Sequence, residues 1–188
     1  EPAGAIRRAG ISVTPPIQTV TDCLLQTGFA DGMPIADSAI LKLGLAREQL
    51  MEAVEQRATA RNGRAIRTAL TTLRYADARA VMIETGFAPD WLQYELTDPF
   101  DSAKPIRTDF AWERQARELT LGELDGLIKY TDQTMLAGRT TAEALVAERQ
   151  RAAYLSLYGH PLLRFTMNEV RSTGMLAKKL QTAGIQQT

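Results

Sequence analysis

The stretch Arg107–Tyr130, RTDFAWERQARELTLGELDGLIKY, limits what this chain can fold into more than any other part of it. Ile106–Trp112 alternates well enough for a strand, and the polar Glu113–Arg117 suits a connecting loop. Glu118–Asp125 has a period of two, so Leu119, Leu121, Glu123 and Asp125 share one face of a second strand. A face that opens with two leucines is a core face. Two carboxylates at its far end cannot easily be buried without partners. They must emerge at the rim of the sheet, line a cleft, or be paired. Gly126 lets the backbone turn sharply just beyond them, and Asp109 on the partner strand can be brought beside them. Three oxygen-bearing side chains converging at a sheet edge suit a hard cation such as Mg²⁺ or Mn²⁺.

The rest of the chain divides around this hairpin. Its 188 residues permit one large domain or two small ones. With 45% hydrophobic and 23% charged residues, it has enough apolar material for a real core. Lys+Arg and Asp+Glu are both 22, so no global basic bias points to nucleic acid, although local patches matter more than the total. Residues 1–80 hold 10 basic and 8 acidic side chains and the remainder 12 and 14, which puts the acidic excess beside the carboxylate hairpin. A single cysteine, Cys23, excludes an intramolecular disulfide, and its setting in TDCLLQ reads as a small buried hydrophobe. No run approaches the ~20 apolar residues of a membrane span, and no signal peptide is visible. A cytoplasmic protein without a membrane partner is the expectation. The first residue, Glu1, is not methionine, so a longer protein with a further N-terminal domain is also expected.

Residues 1–80 read as a helical domain. Ser12–Thr14 is a short strand before Pro15 and Pro16, which enforce an extended or turn backbone. Helices are expected over Ile17–Gln26, Met33–Leu43, Arg47–Ala58 and Arg64–Asp77. Leu24, Leu50, Val54, Ile66, Leu70 and Leu73 should form their interior. Arg67 and Arg74 lie on the opposite side of the last helix. A solvated face is their simplest role, and tracking a DNA backbone is the functional alternative.

From Val81 the pattern changes to an α/β domain covering residues 81–188. A short helix ends at Gly86, and Leu92–Thr97 is a strand. The acidic hairpin follows, then a loop over Tyr130–Thr140 and a long helix over Thr141–Leu157. Pro161–Thr166 is a buried strand and Glu169–Ala183 a final helix, with the tail Ala183–Thr188 expected to be disordered. Leu145, Arg149 and Ala153 share one face of the long helix. Arg149 can serve there as an ion-pair partner for Glu123 or Asp125, as a phosphate contact, or as both. His160 reads as a turn residue, and Trp91 and Trp112 as packing rather than base-stacking platforms.

The ordered set Asp109-Phe110-Ala111-Trp112, Glu123-Leu124-Asp125-Gly126, Lys129-Tyr130 and Leu162-Leu163-Arg164-Phe165-Thr166 resembles the PD-(D/E)XK nuclease superfamily. It is most similar to the branch of the very-short-patch-repair endonucleases, over roughly residues 81–188. The resemblance implies a restriction-endonuclease-like mixed sheet flanked by helices and divalent-metal-dependent hydrolysis of DNA. Asp109 and Glu123 would be metal ligands, and Asp125 a third ligand or the group that orients the water. Lys129 would stabilise developing negative charge. The chain departs from the pattern at Asp125, which replaces the lysine of the E-x-K motif. It departs again before Val81, where an acidic helix start would stand; Glu84 is the nearest acid. The pieces Val13-Thr14-Pro15-Pro16, Thr19-Val20-Thr21-Asp22 and Ala36-Asp37-Ser38-Ala39 resemble the helical region of abortive-infection type IV toxin–antitoxin antitoxins. A winged-helix DNA-binding domain often precedes that region. Two functions are therefore expected in competition: a metal-dependent endonuclease, and an antitoxin-like regulator that binds DNA or a partner through a degenerate nuclease fold.

Overall fold

The computed structural model describes residues 5–98, 101, 103, 105–114, 118–125, 146, 153–155, 159–172 and 174–188. The chain divides into two compact units, Glu1–Ala80 and Val81–Thr188.

The first unit opens with a hairpin of β1 (Ile6–Arg8) and β2 (Ile11–Val13). Its two-residue turn places Ala9 and Gly10 at φ of 48° and 80°, the left-handed conformation that two-residue hairpins favour. Only the second strand is expected from the sequence, because IRR carries too little alternation to read as a strand. Helix α1 (Pro16–Gln26) starts directly on a proline, whose missing N–H needs no partner in a first turn. Helix α2 (Phe29–Asp37) begins earlier than expected and carries Pro34 within it. It gives way to a single π turn over Ser38–Lys42. Helices α3 (Arg47–Glu55) and α4 (Gly63–Glu84) follow.

Val20, Leu24, Leu50, Val54, Ile66 and Leu73 are buried, as the apolar spacing requires, whereas Leu70 is only partly so. Two ion pairs fasten the layers. Buried Arg47 bonds Asp77, and Arg79 bonds Asp37. Burial pushes the Asp37 carboxyl above the usual aspartate range, and Arg79 offsets this only in part. Cys23 is exposed rather than buried, because it falls between the Val20–Leu24 stripe and solvent.

Helix α4 continues without a break through Ala80 and Val81, where two separate helices were expected. Neither glycine nor proline interrupts the chain between Gly63 and Gly86, so nothing local stops it. Gly86, at φ 79°, ends the run.

The second unit is a mixed four-stranded sheet flanked by helices. Its order is β3 (Trp91–Leu96), β4 (Ile106–Glu113), β5 (Leu119–Asp125), β6 (Leu162–Thr166). The first two pairings are antiparallel and β5–β6 is parallel. A parallel pair needs a long crossover, and 36 residues separate Asp125 from Leu162. One side of the sheet gathers Leu96, Ile106, Ala111, Leu121 and Leu155 into a buried cluster. From β4, Phe110 packs against both Trp112 and, on β6, Phe165.

Helices α5 (Met167–Arg171) and α6 (Met175–Thr182) close the chain. One helix was expected here, but Gly174 at φ 75° separates the two. The terminal residues are ordered, contrary to expectation. Ile185 is buried, the Thr188 N–H donates to the Gly86 carbonyl at 2.9 Å, and Gln187 Nε2 donates to the Thr85 carbonyl at 3.1 Å. The polar composition of the tail conceals this pairing. No helix among the described residues is long and apolar enough to cross a membrane.

Candidate acidic site at the β4–β5 divergence

The β3–β4 register runs from Trp91–Ala111 to Leu96–Ile106 and skips one position, Gln93 opposite Asp109. Ile106 and Ala111 are five residues apart. A regular strand would send them to opposite faces, yet both belong to one buried cluster. The alternation therefore switches face between them, and Gln93 shows where. Its φ is 50°, a conformation that a side chain larger than asparagine rarely adopts. The β4–β5 ladder stops at the same place, its last pair being Phe110–Gly122.

Asp109 sits at that switch and spans the gap. Its Oδ2 accepts the backbone N–H of Leu124 at 2.9 Å, and its Oδ1 accepts Gln93 Nε2 at 3.2 Å. A carboxylate has about four acceptor positions, so these bonds fix the group while leaving capacity for a further ligand. The Leu124 amide lies between Glu123 and Asp125 in the chain, so Asp109 is tied to the backbone that carries both other acids.

Glu123 is buried, with its side chain 5% exposed, and pairs with Arg164 through Oε2 and an Nη at 3.1 Å. Glu123 and Arg164 are register partners on the parallel strands β5 and β6. Asp125, the register partner of Thr166, is half-buried at the end of β5. Thr166 caps α5: its Oγ1 accepts the Glu169 N–H at 3.3 Å, while its own N–H donates to Glu169 Oε2 at 2.7 Å. Lys179 Nζ donates to Glu169 Oε1 at 2.8 Å. The end of β6 beside the acidic strand is thereby anchored to both C-terminal helices.

Lys129 and Arg149 lie outside the described residues. Arg67 is exposed and Arg74 half-buried, both on α4. Glu84 is exposed at the end of α4. Trp112 is core: its indole N–H donates to the Phe87 carbonyl at 3.0 Å. Trp91 is exposed and lies 5.5 Å from the Tyr94 ring. His160 is half-buried before Pro161.

Two participants escape a reading of the sequence. Gln93 carries no signal, because a left-handed glutamine cannot be told from an extended one by composition. Arg164 does leave a trace, a cation within the apolar run LLRFT.

The described residues hold no group of three or more His, Cys, Asp or Glu side chains arranged around a common metal position. Comparison with protein-family models, with curated proteins and with solved structures finds no match to this chain.

Proposed function

We propose that the second unit is a divalent-metal-dependent DNA endonuclease, a relative of the PD-(D/E)XK nucleases, with its site where β4 parts from β5. One observation carries this reading. Two neighbouring strands deliver Asp109 and Glu123 to the point where their ladder ends, and Asp109 is held there by the Leu124 amide and by a strained glutamine. Backbone strain and fixed polar groups concentrate at working sites. Asp109 and Glu123 would hold Mg²⁺ or Mn²⁺, with Asp125 at the open end of β5 to orient water. The ion would polarise a phosphoryl oxygen and acidify the attacking water. The chain's own contribution is to keep Asp109 from rotating and to seat Glu123 beside the Arg164 guanidinium.

The test is cleavage of supercoiled, linear and single-stranded DNA with Mg²⁺, Mn²⁺ or chelator. Glu123→Gln and Asp109→Asn should each lower cleavage by about 100-fold or more, the scale of a lost electrostatic contribution to a transition state. Wild-type protein that leaves every DNA form intact in both metals would end this reading.

A second reading is an antitoxin-like regulator that binds DNA or a protein partner without cutting. The buried Glu123–Arg164 pair favours it, because an acid already satisfied by arginine is a poorer cation ligand. So does Asp125 in place of a lysine. This reading expects DNA binding with no cleavage, no stabilisation by metal, and a large fall in melting temperature for Glu123→Gln.

A further inference from the structure

We propose that Arg164 is a phosphate-binding residue, with Glu123 as the partner that stores and aims its guanidinium until DNA arrives. The proposal rests on the site described above. The pair is asymmetric: the Glu123 side chain is 5% exposed and that of Arg164 is 33% exposed, so an approaching ligand meets the cation first. Carboxylates alone would repel a phosphodiester, and the described part of this site supplies Asp109, Glu123 and Asp125 from two adjacent strands. A cation standing among them offsets one of those charges and gives a phosphate oxygen a positive group to meet first. Arginine suits that place, because its planar fork matches phosphate oxygens and it stays charged at any physiological pH. Arg164 is also firmly aimed. It lies in the middle of β6, register-paired to Glu123, two residues before the capping threonine of α5. In hydrolysis, water adds to phosphorus and the bond to the sugar oxygen breaks. That oxygen gains one proton as the water loses one, and Arg164 neutralises charge on a non-bridging oxygen throughout.

Salt dependence of binding isolates this role. The slope of log Kobs against log salt changes by about 0.9 for each B-DNA phosphate that the protein ceases to neutralise. Removing Arg164 alone would strand buried Glu123 and could unfold the strand pair, so the comparison is made between Glu123→Gln and the double variant Glu123→Gln with Arg164→Gln. The probe is a fluorescent DNA duplex titrated in chelator, so that no cleavage intervenes. Glu123→Gln frees the guanidinium from its carboxylate and should bind DNA several-fold more tightly than wild type. The double variant should lose that gain, with a slope smaller by about 0.9. Equal slopes for the two variants would overturn the proposal. A slope that falls as expected in a protein that cuts no DNA would uphold Arg164 and reject the endonuclease. Absence of any salt-dependent DNA binding by the wild type would overturn both.

Discussion

A Cβ placed on Gly122 would stand 2.6 Å from Cζ3 and 3.0 Å from Cη2 of Trp112, and 3.3 Å from Cβ of Phe110. The indole cannot swing away easily, since it is buried and its N–H is bonded to the Phe87 carbonyl. Gly122→Ala is therefore expected to destabilise the protein by about 1–3 kcal/mol through overpacking. Denaturant unfolding followed by tryptophan emission reads the loss directly, and an unchanged midpoint would show that the ring yields. The sequence displays the glycine inside a strand but not the ring lying over it. At this scale, legibility depends on whether a residue's constraint is local. Leu119 and Leu121 announce their face by spacing, and Glu123 and Asp125 announce theirs by continuing it. Gln93 and Arg164 depend on the cross-strand neighbours Asp109 and Glu123, far away in the chain, and no local pattern encodes those separations.

The four strands of the mixed sheet are readable to within a residue or two because each alternates or is uniformly apolar, and because turn residues bound them. Where an element departs from expectation, the deciding interaction is a long-range one or a subtle stop. Helix α4 passes through the expected boundary because no breaker stands there. The C-terminal helix splits in two at a left-handed glycine. The second of these matters for β6, whose end is fixed by the Thr166–Glu169 capping box and Lys179. Lys179, together with the Thr166 donors, holds the Glu169 carboxyl below the usual glutamate range, against the opposing effect of burial. The unfolded chain thus binds a proton more readily than the folded one. This contribution to stability is complete above the ordinary glutamate pKa and is lost as pH falls through the folded value. Glu169→Gln should cost about 1 kcal/mol at neutral pH, in the range of a removed cap. The gap to wild type should close in acid. Melting curves followed from neutral pH into acid test this, and a gap constant across the range would refute it. Asp37 works in the opposite sense. Burial raises its pKa, so stability falls as pH rises from the ordinary aspartate value through the folded one.

Each unit of the molecule has its own buried residues, and this bears on where the proposed DNA partner would be held. Leu24, Leu50, Val54, Ala69 and Leu73 are buried in the first, and Ala111, Leu121 and Leu155 belong to a buried cluster in the second. With Lys+Arg and Asp+Glu both 22, the molecule's net charge attracts no polyanion. Any binding to DNA must come from local cations, and among the described residues Arg164 in the sheet and the arginines of α4 are two sources to separate. Leu73→Ala separates them. Leu73 is fully buried in the helical unit, so the truncation should cost about 2–5 kcal/mol, whereas Cys23→Ser at an exposed position should change stability by no more than about 0.5 kcal/mol. A Leu73→Ala protein assayed where its helical signal has partly fallen, with emission of the sheet residues Trp91 and Trp112 unchanged, still carries the sheet and Arg164. Its salt slope for duplex DNA should therefore match that of wild type if the phosphates are held by the second unit. A slope reduced in step with the fall in helical signal would move phosphate binding to α4, with exposed Arg67 the first residue to suspect. The measurement is a salt titration of DNA binding run beside circular dichroism on the same sample, so that the number of neutralised phosphates and the helix content are read together.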